Sequence, residues 1–137
     1  MLTSALTHPQ LLAAAASAGH GARVLIADGN YPFSTGVRVG APVVYLNLRP
    51  GMLTVSDVLA PLLEVLPVEG AAVMGPADEV EVPAHAEYRA TLGPDVPIEV
   101  VGRADYYALS RSQDVAFVVA TADVRLFASV MLTVGVR

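Results

Sequence analysis

Arg23-Val24-Leu25-Ile26-Ala27 runs directly into Asp28-Gly29-Asn30-Tyr31-Pro32, and this ten-residue stretch decides the fold. The first half is short, continuously apolar and β-branched. A strand with one face in water would alternate, so this pattern predicts a strand buried on both faces. The second half is turn chemistry: Asp-Gly-Asn followed by a proline ends the strand abruptly. Asp28 therefore stands at the carboxyl end of a buried strand. In layered α/β folds ligands gather at that edge.

Outward from this strand the pattern repeats. Thr7-His8-Pro9-Gln10 has the form of a helix start, with Thr7 as cap, Gln10 three residues on and a proline in the first turn. An Ala-rich helix over 11–18 follows, with Gly19 as its C-cap glycine. Beyond Pro32 a Gly- and Pro-punctuated loop leads to a strand over 43–48. Ser56-Asp57 caps a helix to about Leu66, with Pro61 inside it. A strand over 71–74, a helix over 83–92 stopped by Gly93-Pro94, a strand over 98–101 and a helix over 105–111 come next. Strands over 115–120 and 130–134 complete the chain. Short apolar strands alternating with helices predict an α/β fold of three layers, a central mainly parallel sheet with helices on both faces. Its 137 residues make one domain, spanning 1–137.

Composition narrows the function. Hydrophobic residues make up 54% and charged residues 15%. Ordinary soluble domains hold about 45–50% and about 25%. That apolar excess predicts burial between subunits, hence a homo-oligomer. A net charge of −5 and scattered arginines as the only basic residues argue against nucleic acid. The absence of cysteine excludes disulfides and thiolate chemistry. No basic segment precedes an apolar start, and no apolar run reaches the ~18–20 residues that span a bilayer. A soluble, cytoplasmic protein with no membrane association is expected.

Two residues stand out. His20 follows a helix end and precedes the deciding strand; it can exchange protons near neutral pH or serve only as a surface or capping group. Asp28 can accept hydroxyls or act as a base, or it can simply close an Asx-turn on its own backbone. His8 belongs to a helix start and His85 is expected on a solvated helix face. The three histidines lack metal-ligand spacing, so no metal is expected. Gly19-His20-Gly21 precedes a strand, whereas phosphate-binding loops follow one.

Gly19-His20-Gly21, the following strand and Ala27-Asp28-Gly29-Asn30-Tyr31-Pro32 together resemble the D-ribose pyranase and L-fucose mutarotase family. Val43-Val44-Tyr45-Leu46, the Val55–Leu59 helix start, Arg103 with Tyr106-Tyr107, Asp114–Thr121 and Leu132–Val136 extend the likeness in order over the whole length. The resemblance implies ring-like oligomers with active sites between neighbouring subunits. It implies a cofactor-free isomerase that interconverts anomers, or pyranose and furanose forms, of a free monosaccharide. It implies His20 as proton shuttle and Asp28 as its partner in catalysis. It implies substrate contacts from Arg103, with Arg111 as the alternative, and from Tyr107 and Asn30. Where the family carries Tyr-Ala-Asn or Tyr-Gly-Asn, this chain reads Phe127-Ala128-Ser129, and the family's preceding Gly-Glu is Ala122-Asp123. A tyrosine hydroxyl is thus lost and an amide shortened to a hydroxyl, at positions expected to line the site. A less polar, non-sugar substrate for an isomerase or cyclase is the alternative reading, and a non-catalytic sugar-binding protein is a third.

Overall fold

The computed structural model describes residues 1–137. Four helices and six strands alternate: α1 (Pro9–Ser17), β1 (Arg23–Ala27), β2 (Val43–Tyr45), α2 (Val55–Leu63), β3 (Val68–Met74), α3 (Pro83–Leu92), β4 (Ile98–Val101), α4 (Arg103–Ser110), β5 (Val115–Ala120) and β6 (Val130–Val134). The strands form one sheet in the order β2-β5-β1-β6-β3-β4. β5 runs parallel to β1 and β2, and β4 parallel to β3, while β6 is antiparallel to both β1 and β3. Five strands therefore point one way and β6 alone points back, giving the expected mainly parallel sheet.

β1 lies at the centre and its apolar run is buried on both faces. Val24 and Ile26 pack into the larger core with Leu11, Leu59, Leu62 and Tyr88 from α1, α2 and α3. Leu25 and Ala27 point the other way, into a second core with Tyr31 and with Tyr106 from α4. The two cores are the two interlayer spaces of a three-layer sandwich. The second is completed by partly buried Phe33, Val37 and Ala41 of the long connection after β1, which covers the sheet where no further helix does.

Local chemistry moves several predicted boundaries. The α1 cap is His8 rather than Thr7: the imidazole Nδ1 accepts the Leu11 N–H at 3.3 Å. Its C-cap is Ala18 in an extended conformation, so Gly19 is not needed to end the helix. α2 is capped by Thr54, whose hydroxyl accepts the Asp57 N–H while the Asp57 carboxylate accepts the Thr54 N–H. This reciprocal pair satisfies two of the donors left free at a helix start, one residue pair earlier than Ser56-Asp57 suggested. α2 ends at Leu63, β2 at Tyr45, and α4 begins at Arg103. His85 does not face solvent. It is 4% exposed, on the inner side of α3 between Ala84 and Tyr88.

Candidate active site

The reversal of β6 creates the site. Because β6 runs against β1 with Ile26 opposite Val130, the residue before β6 meets the residue after β1. Those residues are Ser129 and Asp28. Asp28 is 6% exposed, and every polar atom it offers is engaged. Its Oδ1 accepts the Asn30 N–H at 2.9 Å, closing an Asx-turn. Its Oδ2 accepts the Ser129 N–H at 3.1 Å and the Ser129 hydroxyl at 2.6 Å. The Asp28 N–H in turn donates to Ser129 Oγ at 2.9 Å. Three donors fix the carboxylate in one orientation; both lone-pair sites of Oδ2 are taken, and Oδ1 keeps one for a ligand.

Gly29 allows a close approach at this point. A Cβ there would stand 3.1 Å from the Asp123 carbonyl, the atom that accepts the Gly29 N–H at 2.9 Å. The 121–125 loop is pinned over the carboxyl ends of β1 and β5. The Thr121 hydroxyl donates to the Ala27 carbonyl at 2.8 Å. Asp123 takes the Val55 N–H at the start of α2 and a forked contact from Arg125, whose Nη2 lies 2.7 Å from Oδ2. Burial alone would raise the Asp123 pKa; the Arg125 guanidinium and the Val55 and Arg125 N–H groups outweigh it and hold the carboxyl below its usual range. Arg125 continues to Glu87 on α3 at 2.9 Å.

A pocket of about 180 Å³ opens beside Asp28, lined by Asn30, Tyr31, Met74, Arg103, Tyr107, Leu126, Phe127 and Ser129. It lies at the carboxyl ends of β1, β3 and β4, the edge anticipated from the position of Asp28 in the sequence. One side is polar: the Asp28 carboxylate, Asn30, and Arg103 at the first position of α4. The fold's three ion pairs leave Arg103 free. The other side is apolar: Met74, Leu126 and the Phe127 ring. Tyr107 stacks on Tyr31 with ring centroids 5.4 Å apart. The Tyr31 hydroxyl donates to Ser110 at 2.7 Å, and burial pushes its pKa up to about 12, so it stays protonated. A second concavity of about 340 Å³, lined by Asn47, Arg49 and Thr121 among others, adjoins the first through Asn30.

Of the residues singled out in the sequence, the pocket gathers Asp28, Asn30, Arg103, Tyr107, Phe127 and Ser129. Arg111 stays outside it, its guanidinium 5.5 Å from the centre of the Tyr107 ring. Ser129 serves Asp28 before any ligand, since its single proton already goes to Oδ2. His20 is elsewhere. It sits before the amino end of β1, a strand of five residues and roughly 16 Å, with its side chain 61% exposed and its Nε2 3.2 Å from Glu69 Oε2. Within one chain His20 and Asp28 face opposite edges of the sheet. Sequence reading missed Tyr31, Met74 and Leu126. Met74 carried a usable signal, as the last residue of a predicted strand at the ligand-binding edge; Leu126 carried none.

A mainly parallel α/β sheet with a fixed carboxylate and a free arginine in a small pocket at its carboxyl edge has the layout at which ligands gather in α/β folds. More specifically, the chain belongs to the RbsD / FucU transport protein family, whose model matches residues 1–137. It is 31% identical over 136 residues to the D-ribose pyranase of Streptomyces avermitilis, covering 99% of this chain and 98% of that one. It is 29% identical over 143 residues to human fucose mutarotase, covering 96% and 90%. Among solved structures, RbsD of Bacillus subtilis in complex with D-ribose superposes with a TM-score of 0.84 at 24% identity, over 100% of this chain and 99% of that one. Fucose mutarotase of Streptococcus pneumoniae in complex with L-fucose gives 0.78 at 21% identity, over 95% and 94%. The family is one of sugar mutarotases and pyranases. No helix is long and apolar enough to cross a membrane.

Proposed function

We propose that this protein is a monosaccharide mutarotase or pyranase acting on a free ribose- or fucose-like sugar. The observation that carries this reading is the Asp28 carboxylate, immobilised by three protein donors yet facing a pocket small enough to suit one sugar ring. Ring opening breaks the bond between the anomeric carbon and the ring oxygen and forms a carbonyl. One proton leaves the anomeric hydroxyl and one arrives on the ring oxygen; closure on the other face reverses both transfers. A carboxylate held in place and an imidazole suit this exchange. Asp28 and Arg103 orient hydroxyls, with Asn30 and Tyr107 completing the contact.

The imidazole is His20 of a second copy. Its own strand carries it to the far edge of the sheet, where its Nε2 meets Glu69 Oε2 at 3.2 Å. Exposed Leu126 at the pocket, with Leu48 and Val124 at the adjoining concavity, supplies apolar surface that such an assembly would cover. NMR magnetisation exchange between anomers of D-ribose, L-fucose and related sugars, with and without protein, tests the reading. Acceleration that disappears in both His20→Ala and Asp28→Asn is expected. No acceleration of any of these sugars would leave the second reading, an isomerase or cyclase on a less polar metabolite. That reading is favoured by one observation, the apolar wall of Met74, Leu126 and Phe127.

A further inference from the structure

The segment that supplies Phe127 and Ser129 to the pocket has an irregular backbone, and α3 grips it twice. Phe127 adopts φ 58°, the left-handed region that a side chain with a Cβ avoids. Its carbonyl lies 2.9 Å from His85 Nε2. A carbonyl can only accept, so Nε2 carries the proton and donates. The next carbonyl, that of Ala128, accepts the Tyr88 hydroxyl at 2.5 Å. His85 and Tyr88 are three residues apart on one face of α3 and both are buried. They are thus neighbouring donors aimed at consecutive carbonyls. One residue further along, Ser129 locks the Asp28 carboxylate through its N–H and hydroxyl.

We infer that His85, together with Tyr88, is a positioning residue for the pocket: the two donors hold the left-handed turn at Phe127, which turns the Phe127 ring to the pocket wall and sets Ser129 against Asp28. The alternative use of a buried histidine, proton transfer to substrate, does not fit the geometry. Its Nε2 is committed to the backbone, and His85 is not among the pocket-lining residues. Burial also lowers its pKa, against the opposing effect of the Phe127 hydrogen bond and with a smaller lowering from Arg89, so the ring stays neutral and keeps a single donor proton. For its catalytic consequence the inference rests on the mutarotase reading; for its structural content it does not.

The test compares wild type, His85→Leu, which fills the space without a donor, and His85→Gln, whose amide nitrogen can reach where Nε2 sits. The measurements are sugar exchange kinetics, amide shifts of Phe127, Ala128 and Ser129, and the carboxyl carbon shift of Asp28. His85→Leu is expected to lower kcat/KM about tenfold, the effect of one lost buried hydrogen bond. It should move all four signals, while His85→Gln stays within about twofold on kinetics and close to wild type in shifts. Equal impairment by Leu and Gln, or wild-type shifts in His85→Leu, would overturn the inference. If the wild type proves inactive on every sugar, the mutarotase reading fails and the four shifts alone decide the positioning role. If His85→Leu does not fold, Tyr88→Phe, which deletes only the donor to Ala128, is read in the same way.

Discussion

Replacing Ser129 by alanine tests the centre of the site most directly. The hydroxyl makes two buried contacts, both with Asp28: it donates to Oδ2 at 2.6 Å and accepts the Asp28 N–H at 2.9 Å. Alanine removes one oxygen and disturbs no packing of consequence. A hydrogen bond to a charged group contributes about 1.5–3 kcal/mol, and a buried N–H left without a partner costs about 1–3 kcal/mol. The two share an atom, so they do not add fully, and a loss of about 2–4 kcal/mol is expected. That is a large part of the ~5–15 kcal/mol that stabilises a domain. At this size it lowers Tm by on the order of 10 °C. Urea unfolding followed by circular dichroism at several protein concentrations measures it, the concentration series separating folding from assembly. A double-mutant cycle with Asp28→Ala should return a coupling of about 1–3 kcal/mol. A loss for Ser129→Ala below about 0.5 kcal/mol, or a coupling near zero, would refute the claim that Ser129 fixes the Asp28 carboxylate.

Asp123→Ala should cost about 2–4 kcal/mol, because it leaves the Val55 N–H at the start of α2 without a partner and takes from Arg125 its buried carboxylate, leaving only exposed Glu87; the same unfolding assay checks this. Tyr106→Phe should be neutral or slightly stabilising, since its buried hydroxyl has no partner; a loss above about 1 kcal/mol would show that it has one. The folded-state pKa of His85 lies below 6.5. Between that value and 6.5 the unfolded chain binds a proton that the folded chain does not. Stability is therefore complete above about pH 6.5 and declines as pH falls through that window, with His85→Gln abolishing this component. Asp123 and Glu87, both held below their usual values, add a second loss below about pH 4, in which exposed Glu87 has the minor share. Finally, mixing inactive His20→Ala with inactive Asp28→Asn, followed by dissociation and reassembly, should restore about a quarter of wild-type activity if each site joins two copies, and none if it does not.

The sequence by itself determined the layering and the edge at which to look. A continuous apolar run such as Val24–Ala27 has to be buried on both faces, which requires helices on two sides, and a turn as strong as Asp28-Gly29-Asn30 leaves a carboxylate at the strand's end. The strands over 98–101, 115–120 and 130–134 and the helix over 83–92 were legible for the same reason: local periodicity and local punctuation coincide there. Caps were less legible: His8, not a usual capping type, takes the place of Thr7, and Thr54 that of Ser56, because hydrogen-bond geometry selects between neighbours. Three things were decided only by the tertiary structure. The reversal of β6 brings Ser129 to Asp28 across 101 residues of chain, a register that no local pattern encodes. His85 reads as an ordinary polar helix residue until the Phe127 carbonyl is set beside it. His20 and Asp28 flank one short strand and lie close together in sequence. An extended strand carries its two ends to opposite edges of the sheet, and within one chain these two residues cannot meet.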